Sequence, residues 1–347
     1  MAQATATELS TEQLATDVLA TIDREREREI IARRFGLFDR KETLEQIGEM
    51  LGITRERVRQ LEKSVVTRLR SLAEQGSLPH IADFQSRIVE LLQTGGDVAR
   101  VQELASKLTD NPSREEQARV AFLSQLSPEL IVISEDDNFY NSVGLLSAYN
   151  EKALKKAVTD LIAAIKQLGE PKSIDEIVKV VGKGTADRTA ALASTSKSLA
   201  TLNGRWGLVK WPMVNPKNIR DKIYVILKEN GKHMHFNEIA GAIKDSDFKR
   251  KDVTTQAIHN ELIKDKRFVL IGRGIYALKE WGYEKGTVAD IITEVLKAAN
   301  EPLHRDEIVK RVLKSRFVKE TTILLNLQGK PQFKRVAKAT YTLAEAE

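Results

Sequence analysis

Apolar residues recur along most of this chain at three- and four-residue intervals, the period of helices with one buried face. Leu9, Leu14, Val18, Leu19 and Ile22 predict a first amphipathic helix, started through Ser10 or Thr11 with Glu12 just behind. Leu44, Ile47 and Leu51 predict a short helix, and Val58, Leu61, Val65 and Leu69 a longer one. Between the first helix and these runs the alternation Asp23-Arg24-Glu25-Arg26-Glu27-Arg28-Glu29. Opposite charges three or four apart support a helix, and the run reads as its solvated face.

Turn-formers cluster at Gly76-Ser77-Leu78-Pro79, around Tyr140–Asn150, from Trp211-Pro212 to Pro216, and from Gly282 to Gly286. They divide the chain into an N-terminal helix or tail (1–22), a segment 23–76, and four further segments at 81–148, 151–212, 216–283 and 285–345. The last three of these resemble one another. Each has an apolar-periodic helix, then a Glu-Ile pair after Asn or Asp (Asp175-Glu176-Ile177, Asn237-Glu238-Ile239, Asp306-Glu307-Ile308), another helix, and two strands. The strands are plainest in Phe268-Val269-Leu270-Ile271 with Ile275-Tyr276-Ala277-Leu278. That is the order of a winged helix. Residues 85–140 fit it poorly, and read as a degenerate copy. The fold class predicted is mainly α: a helix-turn-helix followed by tandem winged-helix modules with small β-hairpins.

Composition narrows the chemistry. The 347 residues exceed one ordinary core, in keeping with a string of modules. There is no cysteine, which excludes disulfides and thiolate metal sites. No apolar run is long enough to span a bilayer, and Met1 to Ser10 shows no signal pattern, so the expected location is the cytoplasm, at the nucleoid. The net charge of +6 favours a polyanionic partner only weakly, but it is unevenly spread: −1 over 1–80, −6 over 81–150, +5 over 151–213 and +8 over 214–347. A duplex-binding surface releases counterions with its own cations, so 81–150 is the poorest candidate and reads as a spacer or protein-contact module.

Chemistry of sites also excludes much. Gly182-Lys183-Gly184-Thr185 lacks the glycine spacing of a phosphate loop. His233 and His235 have no carboxylate cluster or third histidine at ligand spacing. With no nucleophile in an activating setting, we expect no enzyme, no cofactor and no metal.

The most informative run is Thr43 to Glu62. Gly52 supplies the positive φ needed to end the first helix, and Thr54 caps the second. With Val58, Leu61, Val65 and Leu69 facing inward, Arg55, Glu56, Arg59, Gln60 and Lys63 project outward. Arginine donates two bonds to guanine, Gln pairs with adenine, and Glu accepts from the cytosine amino group.

Arg28-Glu29-Ile30-Ile31, Arg34-Phe35-Gly36-Leu37, Thr43-Leu44-Glu45-Gln46-Ile47-Gly48 and Ile53-Thr54-Arg55-Glu56-Arg57-Val58-Arg59-Gln60-Leu61-Glu62 closely resemble region four of bacterial housekeeping sigma factors, over about fifty residues. The resemblance implies that Arg55, Glu56, Arg59 and Gln60 read a minus-thirty-five-type promoter element in double-stranded DNA. It implies that Thr43, Thr54, Arg57, Lys63 and Arg68 touch its phosphates. It further implies that Ile30, Ile31, Arg34, Phe35 and Leu37 dock on core RNA polymerase. The aromatic-rich, promoter-melting region of sigma factors has no counterpart, so initiation by this chain alone is not expected. A second resemblance, to the HARE-HTH winged-helix family, rests on His235-Phe236-Asn237-Glu238-Ile239-Ala240, Lys264-Asp265-Lys266-Arg267-Phe268-Val269 and Gly272-Arg273-Gly274-Ile275-Tyr276. That family includes the N-terminal domain of the polymerase δ subunit. There Lys249, Arg250 and Lys251, with Arg273 at the wing tip, are the candidate phosphate contacts. The expected function is a sequence-specific, polymerase-associated transcription regulator. The alternatives are a protein-interaction module of the transcription machinery, or a DNA-binding accessory of a restriction or repair system.

Overall fold

The computed structural model describes residues 10–110, 112–283 and 286–344. Leu9 and residues 284–285 of the last expected boundary lie outside the described residues. Contacts divide the chain into two units, the first ending at Val209 and the second beginning at Lys210. The breaks expected near residues 76–79 and 140–150 fall inside the first unit.

The first unit opens with α1 (Thr11–Ala20), α2 (Glu25–Phe35), α3 (Leu44–Leu51) and α4 (Arg55–Glu74). Local chemistry sets their ends. The side chains of Ser10, Thr43 and Thr54 accept hydrogen bonds from the backbone N–H groups of Gln13, Gln46 and Arg57. Gly36 and Gly52 close α2 and α3 in the left-handed conformation.

A pattern of helix, short strand, two helices and two strands then follows four times. The first copy is α5 (Ile81–Gly95), β1 (Val98–Arg100), α6 (Val101–Leu108), α7 (Arg114–Leu126), β2 (Leu130–Ile133) and β3 (Ser142–Leu145). The second is α8 (Glu151–Leu168), β4 (Lys172–Ser173), α9 (Ile174–Val181), α10 (Ala186–Thr195), β5 (Leu199–Leu202) and β6 (Arg205–Leu208). In the second unit come α11 (Ile219–Asn230), β7 (Met234–His235), α12 (Phe236–Asp245), α13 (Thr255–Lys264), β8 (Phe268–Gly272) and β9 (Ile275–Leu278). The last copy is α14 (Val288–Ala299), β10 (Leu303–His304), α15 (Arg305–Ser315), α16 (Glu320–Gly329), β11 (Phe333–Ala337) and β12 (Thr340–Leu343). The fold is mainly helical, and the segment at 81–148 is a complete copy rather than a degenerate one.

Each copy carries a three-stranded antiparallel sheet, not the expected hairpin alone: the orders are β1-β3-β2, β4-β6-β5, β7-β9-β8 and β10-β12-β11. The additional strand runs only two or three residues, too few to show an alternation. The second helices also start earlier than Asn or Asp. Ser173, His235 and His304 are the caps, and Asp175, Asn237 and Asp306 lie in the first turn. Glu176 and Glu238 reach back to the N–H groups of Ser173 and His235, completing capping boxes.

One core runs through the first unit from Leu14 to Leu145, joining Ile31, Leu37, Val65 and Leu69 to Ile88, Leu104, Phe122 and Leu123. Helix α7 makes this junction. Arg119 on it is buried, donates from Nε to the Leu37 carbonyl at 2.8 Å, and pairs with Glu12 at 3.1 Å. Phe122 packs on Phe35 with ring centroids 4.9 Å apart and the planes tilted by 54°. The next copy is tied on just as closely: α10 packs on β1, Arg188 Nε donates to Asp97 at 2.6 Å, and the Arg100 guanidinium lies 4.0 Å over the Tyr140 ring and bonds the Ser194 carbonyl. A Cβ on Gly96 would meet the Asp187 carbonyl oxygen at 2.6 Å, so this contact requires glycine.

In the second unit the last copy has its own core, from Ala289 to Tyr341. The preceding copy joins it through the Phe317 N–H, which donates to the Ile271 carbonyl at 3.1 Å, and through the His233 ring 4.3 Å from that of Phe317. No helix among the described residues is long and apolar enough to cross a membrane.

Candidate nucleic-acid interface

Helices α3 and α4 meet over a small apolar cluster of Ile30, Ile47 and Val58, flanked by Leu44, Leu51, Ile53 and Leu61. Two glycines shape the turn between them. Gly52 has φ +64° with open space around it, so its role is conformational. Gly48 has a different role, which its sequence position gave no sign of. A Cβ there would sit 2.7 Å from the Ile53 carbonyl oxygen, so the helix and turn approach too closely for any other residue.

Arg55, Glu56, Arg59 and Gln60 all lie exposed on the first turns of α4, as their spacing predicts. They are joined to one another. Arg59 donates to the Glu56 carboxylate from Nε at 2.8 Å and from Nη2 at 2.7 Å. Gln60 donates to the same carboxylate at 3.4 Å, and its oxygen accepts from Arg57 at 3.4 Å. The hydrogen bond from Arg59 holds the Glu56 carboxyl below the usual carboxylate range, and Glu56 in turn raises the guanidinium of Arg59. The helix thus presents two donors and an acceptor in a fixed arrangement on one exposed face. Thr43 and Thr54 cap the two helices, while Arg57 and Lys63 are exposed alongside.

Residues 24–71 match the family Sigma-70, region 4. This stretch holds α2, α3 and nearly all of α4. The chain is 50% identical over 70 residues to RNA polymerase sigma factor SigA of Bacillus sp, an alignment covering 20% of this chain and 18% of that protein. It is 47% identical over 64 residues to RNA polymerase sigma factor RpoD of Helicobacter pylori, covering 17% of this chain and 10% of the other. The chain therefore spans less than a fifth of the length of either relative, and the four repeated copies lie outside the match to region 4.

Within the region 4 segment, several side chains are engaged in ways their sequence context does not show. Arg68 pairs at 2.9 Å with Glu27, which is buried and also bound to Arg24 at 3.3 Å. The alternating charge run is therefore not a wholly solvated face: Glu27 anchors α2 to α4. Ile30, Ile31 and Leu37 are buried, Phe35 packs on Phe122, and Arg34 pairs with Glu62 at 3.1 Å. Three of the five side chains expected to meet polymerase thus face the chain's own cores, Ile31 and Leu37 the one shared with α7 and Ile30 the one under α3 and α4. What stays open there is the loop after α2, where Phe38 is 45% exposed.

The remaining candidates lie in the second unit. Lys249, Arg250 and Lys251 are exposed in the turn before α13, and Arg273 is exposed at the tip of the β8–β9 hairpin. That turn is held by Lys222, a buried lysine that donates from Nζ to the carbonyls of Lys249 and Arg250 at 2.8 and 2.6 Å. Burial lowers its ammonium from the ordinary lysine value. Lys251 donates to the Ser246 carbonyl at 3.0 Å. At the wing, a Cβ on Gly274 would meet the His235 ring at 2.4 Å, which requires glycine beside the histidine cap. Both His233 and His235 thus have structural partners. Gly182 ends α9, and Thr185 caps α10.

Proposed function

We propose that the chain is a non-catalytic, sequence-specific binder of double-stranded DNA that regulates transcription in the cytoplasm, at the nucleoid, with α4 as its reading helix. One observation carries this reading: Arg55, Glu56, Arg59 and Gln60 stand exposed on the first turns of a capped helix, within the stretch that matches Sigma-70, region 4. The N-terminal turns of such a helix enter the major groove, where these side-chain types distinguish bases. The preferred site is a minus-thirty-five-type element. Thr43, Thr54, Arg57 and Lys63 contact its phosphates, and Arg68 does so while remaining tied to Glu27. Core RNA polymerase is the further partner, met through the open loop at Phe38 and the partly buried Arg34 rather than through the buried Ile30, Ile31 and Leu37. Residues 216–283, with their HARE-HTH-like sequence, add phosphate contacts through Lys249, Arg250, Lys251 and Arg273.

Gel shifts with the full chain on duplexes carrying a sigma-type hexamer or its scrambled counterpart test the reader. Arg59→Ala or Gln60→Ala is expected to cost about 1–3 kcal/mol on the preferred site, with relaxed preference. Unchanged affinity and preference in both folded variants would remove α4 as the reader and favour a protein-interaction role. Capture of core RNA polymerase by the wild type and its loss with Phe38→Ala test the second contact.

A further inference from the structure

The four winged-helix copies share a topology but not an exposure. In the first copy α7 buries Arg119, Val120, Phe122, Leu123, Ser124 and Leu126, and in the second α10 buries Thr189, Ala191, Leu192, Ala193 and Thr195. These helices face neighbours on more than one side. By contrast α13 buries Ile258 and Leu262 and α16 buries Ile323 and Leu327, a single stripe each. The hairpins differ in the same sense. The β2–β3 connection carries Glu135, Asp136 and Asp137, and its backbone bonds to α10 and the segment after it through Tyr140 and Asn138. The β8–β9 hairpin is held from the side by Phe317 and Arg316.

The β11–β12 hairpin differs from both. Residues 330–344 contain Lys330, Lys334, Arg335 and Lys338 and no acid. All four are exposed, and among the described residues none has an ion pair. Strand β11 is an edge of its sheet, and its ladder shifts between Arg335 and Ala337, a bulge that strengthens the local twist. Arg335 bonds its own Ala337 carbonyl at 3.2 Å across that bulge. Lys334 and Arg335 lie on β11 and Lys338 in the turn that follows it, a stretch of chain no longer than roughly 13 Å. A duplex carries about one phosphate charge per 1.7 Å of axis, so several phosphates fall within that reach. The cations already discourage another strand from pairing with this edge, and without acidic partners they present a positive field that a polyanion matches.

We infer that the β11–β12 wing is a second, sequence-independent contact to the phosphate backbone of duplex DNA, through Lys334, Arg335 and Lys338. This rests on the reading that the chain binds duplex DNA. The wing has no donor and acceptor set fixed for base edges, so it adds affinity and salt dependence without preference.

The test uses the full chain with Lys334, Arg335 and Lys338 all changed to Gln, on hexamer-bearing and scrambled duplexes from 50 to 200 mM salt. Losing three phosphate contacts flattens the salt dependence by up to about 2.7 units of slope, so wild-type affinity should fall up to roughly 40-fold more than the variant's over this range. The loss at low salt should be equal on both duplexes. Arg59→Ala should do the opposite, relaxing preference while leaving the slope nearly intact. If the wild type binds and the triple variant matches it in affinity and slope, the wing proposal fails alone, and an acidic protein surface is the better partner for this edge. A variant defect confined to the hexamer duplex overturns it as well. If the wild type binds neither duplex, the DNA-binding reading itself falls, and the wing inference with it.

Discussion

The two units use the same winged-helix topology in opposite ways. In the first, copies are fused: the reader's helices share a core with α7, and α10 packs against β1, so the third helices of both copies are spent on internal contacts. In the second, the last copy keeps a core of its own and leaves α16 and its wing open. Net charge separates the first copy from the rest, with −6 over residues 81–150 against +5 over 151–213 and +8 over 214–347. The comparison teaches that topology alone does not make a nucleic-acid surface. A copy that buries its third helix on several sides leaves less of that helix open to a partner than α16, which buries a single stripe.

The largest effect that can break this comparison is at Phe122. It is fully buried, and it packs on Phe35 of α2. Phe122→Ala should cost about 3–5 kcal/mol and should lower hydrogen-exchange protection in α4 along with α7, because both lean on one core. Ile308→Ala, also fully buried, should cost about 2–5 kcal/mol but leave protection of α4 unchanged. Denaturation followed by hydrogen exchange checks both. If Phe122→Ala loosened only α5 to β3, the shared core would not couple the copies, and the reader would be an independent module.

A smaller contrast lies inside the reader. Gly48→Ala forces a Cβ to within 2.7 Å of the Ile53 carbonyl oxygen, a backbone atom that cannot swing aside. The expected cost is about 1–3 kcal/mol, from displacement of the turn. Gly52→Ala meets nothing within 4 Å but must hold φ +64°, at about 1 kcal/mol. Chemical denaturation of the two variants ranks them. A larger loss at Gly52 would mean that backbone conformation, rather than close approach, governs this turn.

That contrast also marks how far sequence reasoning reaches. The exposure of Arg55, Glu56, Arg59 and Gln60 on α4 was legible because capping and three- to four-residue spacing are local, and Gly52 because positive φ has a residue preference. Gly48 was not, since its constraint comes from an atom five residues on in three dimensions. The partners of Glu27, Leu37 and Thr11 lie 41, 82 and 105 residues away, at Arg68, Arg119 and Glu116. Such pairings leave no periodic trace, so the packing of α7 against Ile31 and Leu37 is not visible in the sequence. The copy at 81–148 was hard to read for a related reason: α7 is apolar on several sides, so it lacks the single stripe that signals an amphipathic helix. Strands of two residues, such as β4, β7 and β10, are too short for any alternation.

The smallest effect sharpens the comparison at the reader's own surface. Glu56 holds Arg59 through two hydrogen bonds, and both side chains are more than half exposed, so the pair adds little to stability. Its consequence is for recognition. The carboxylate orients Arg59, yet on the proposed reading it also places a negative charge toward the phosphates of the duplex. Glu56→Gln keeps an acceptor oxygen and removes the charge. Affinity for the hexamer duplex should therefore fall modestly while affinity for scrambled DNA rises. The same change can be approached by pH. Because Arg59 holds the Glu56 carboxyl below the ordinary range, the folded chain binds its proton at lower pH than the unfolded chain does. Any stabilisation from the pair is complete above the unfolded pKa and is lost as pH falls through the lower, folded one. Across that acidic window wild-type preference should drift towards that of Glu56→Gln, while the variant stays flat. Binding isotherms for both proteins on both duplexes measure it, and parallel pH profiles would show that Glu56 does not tune Arg59.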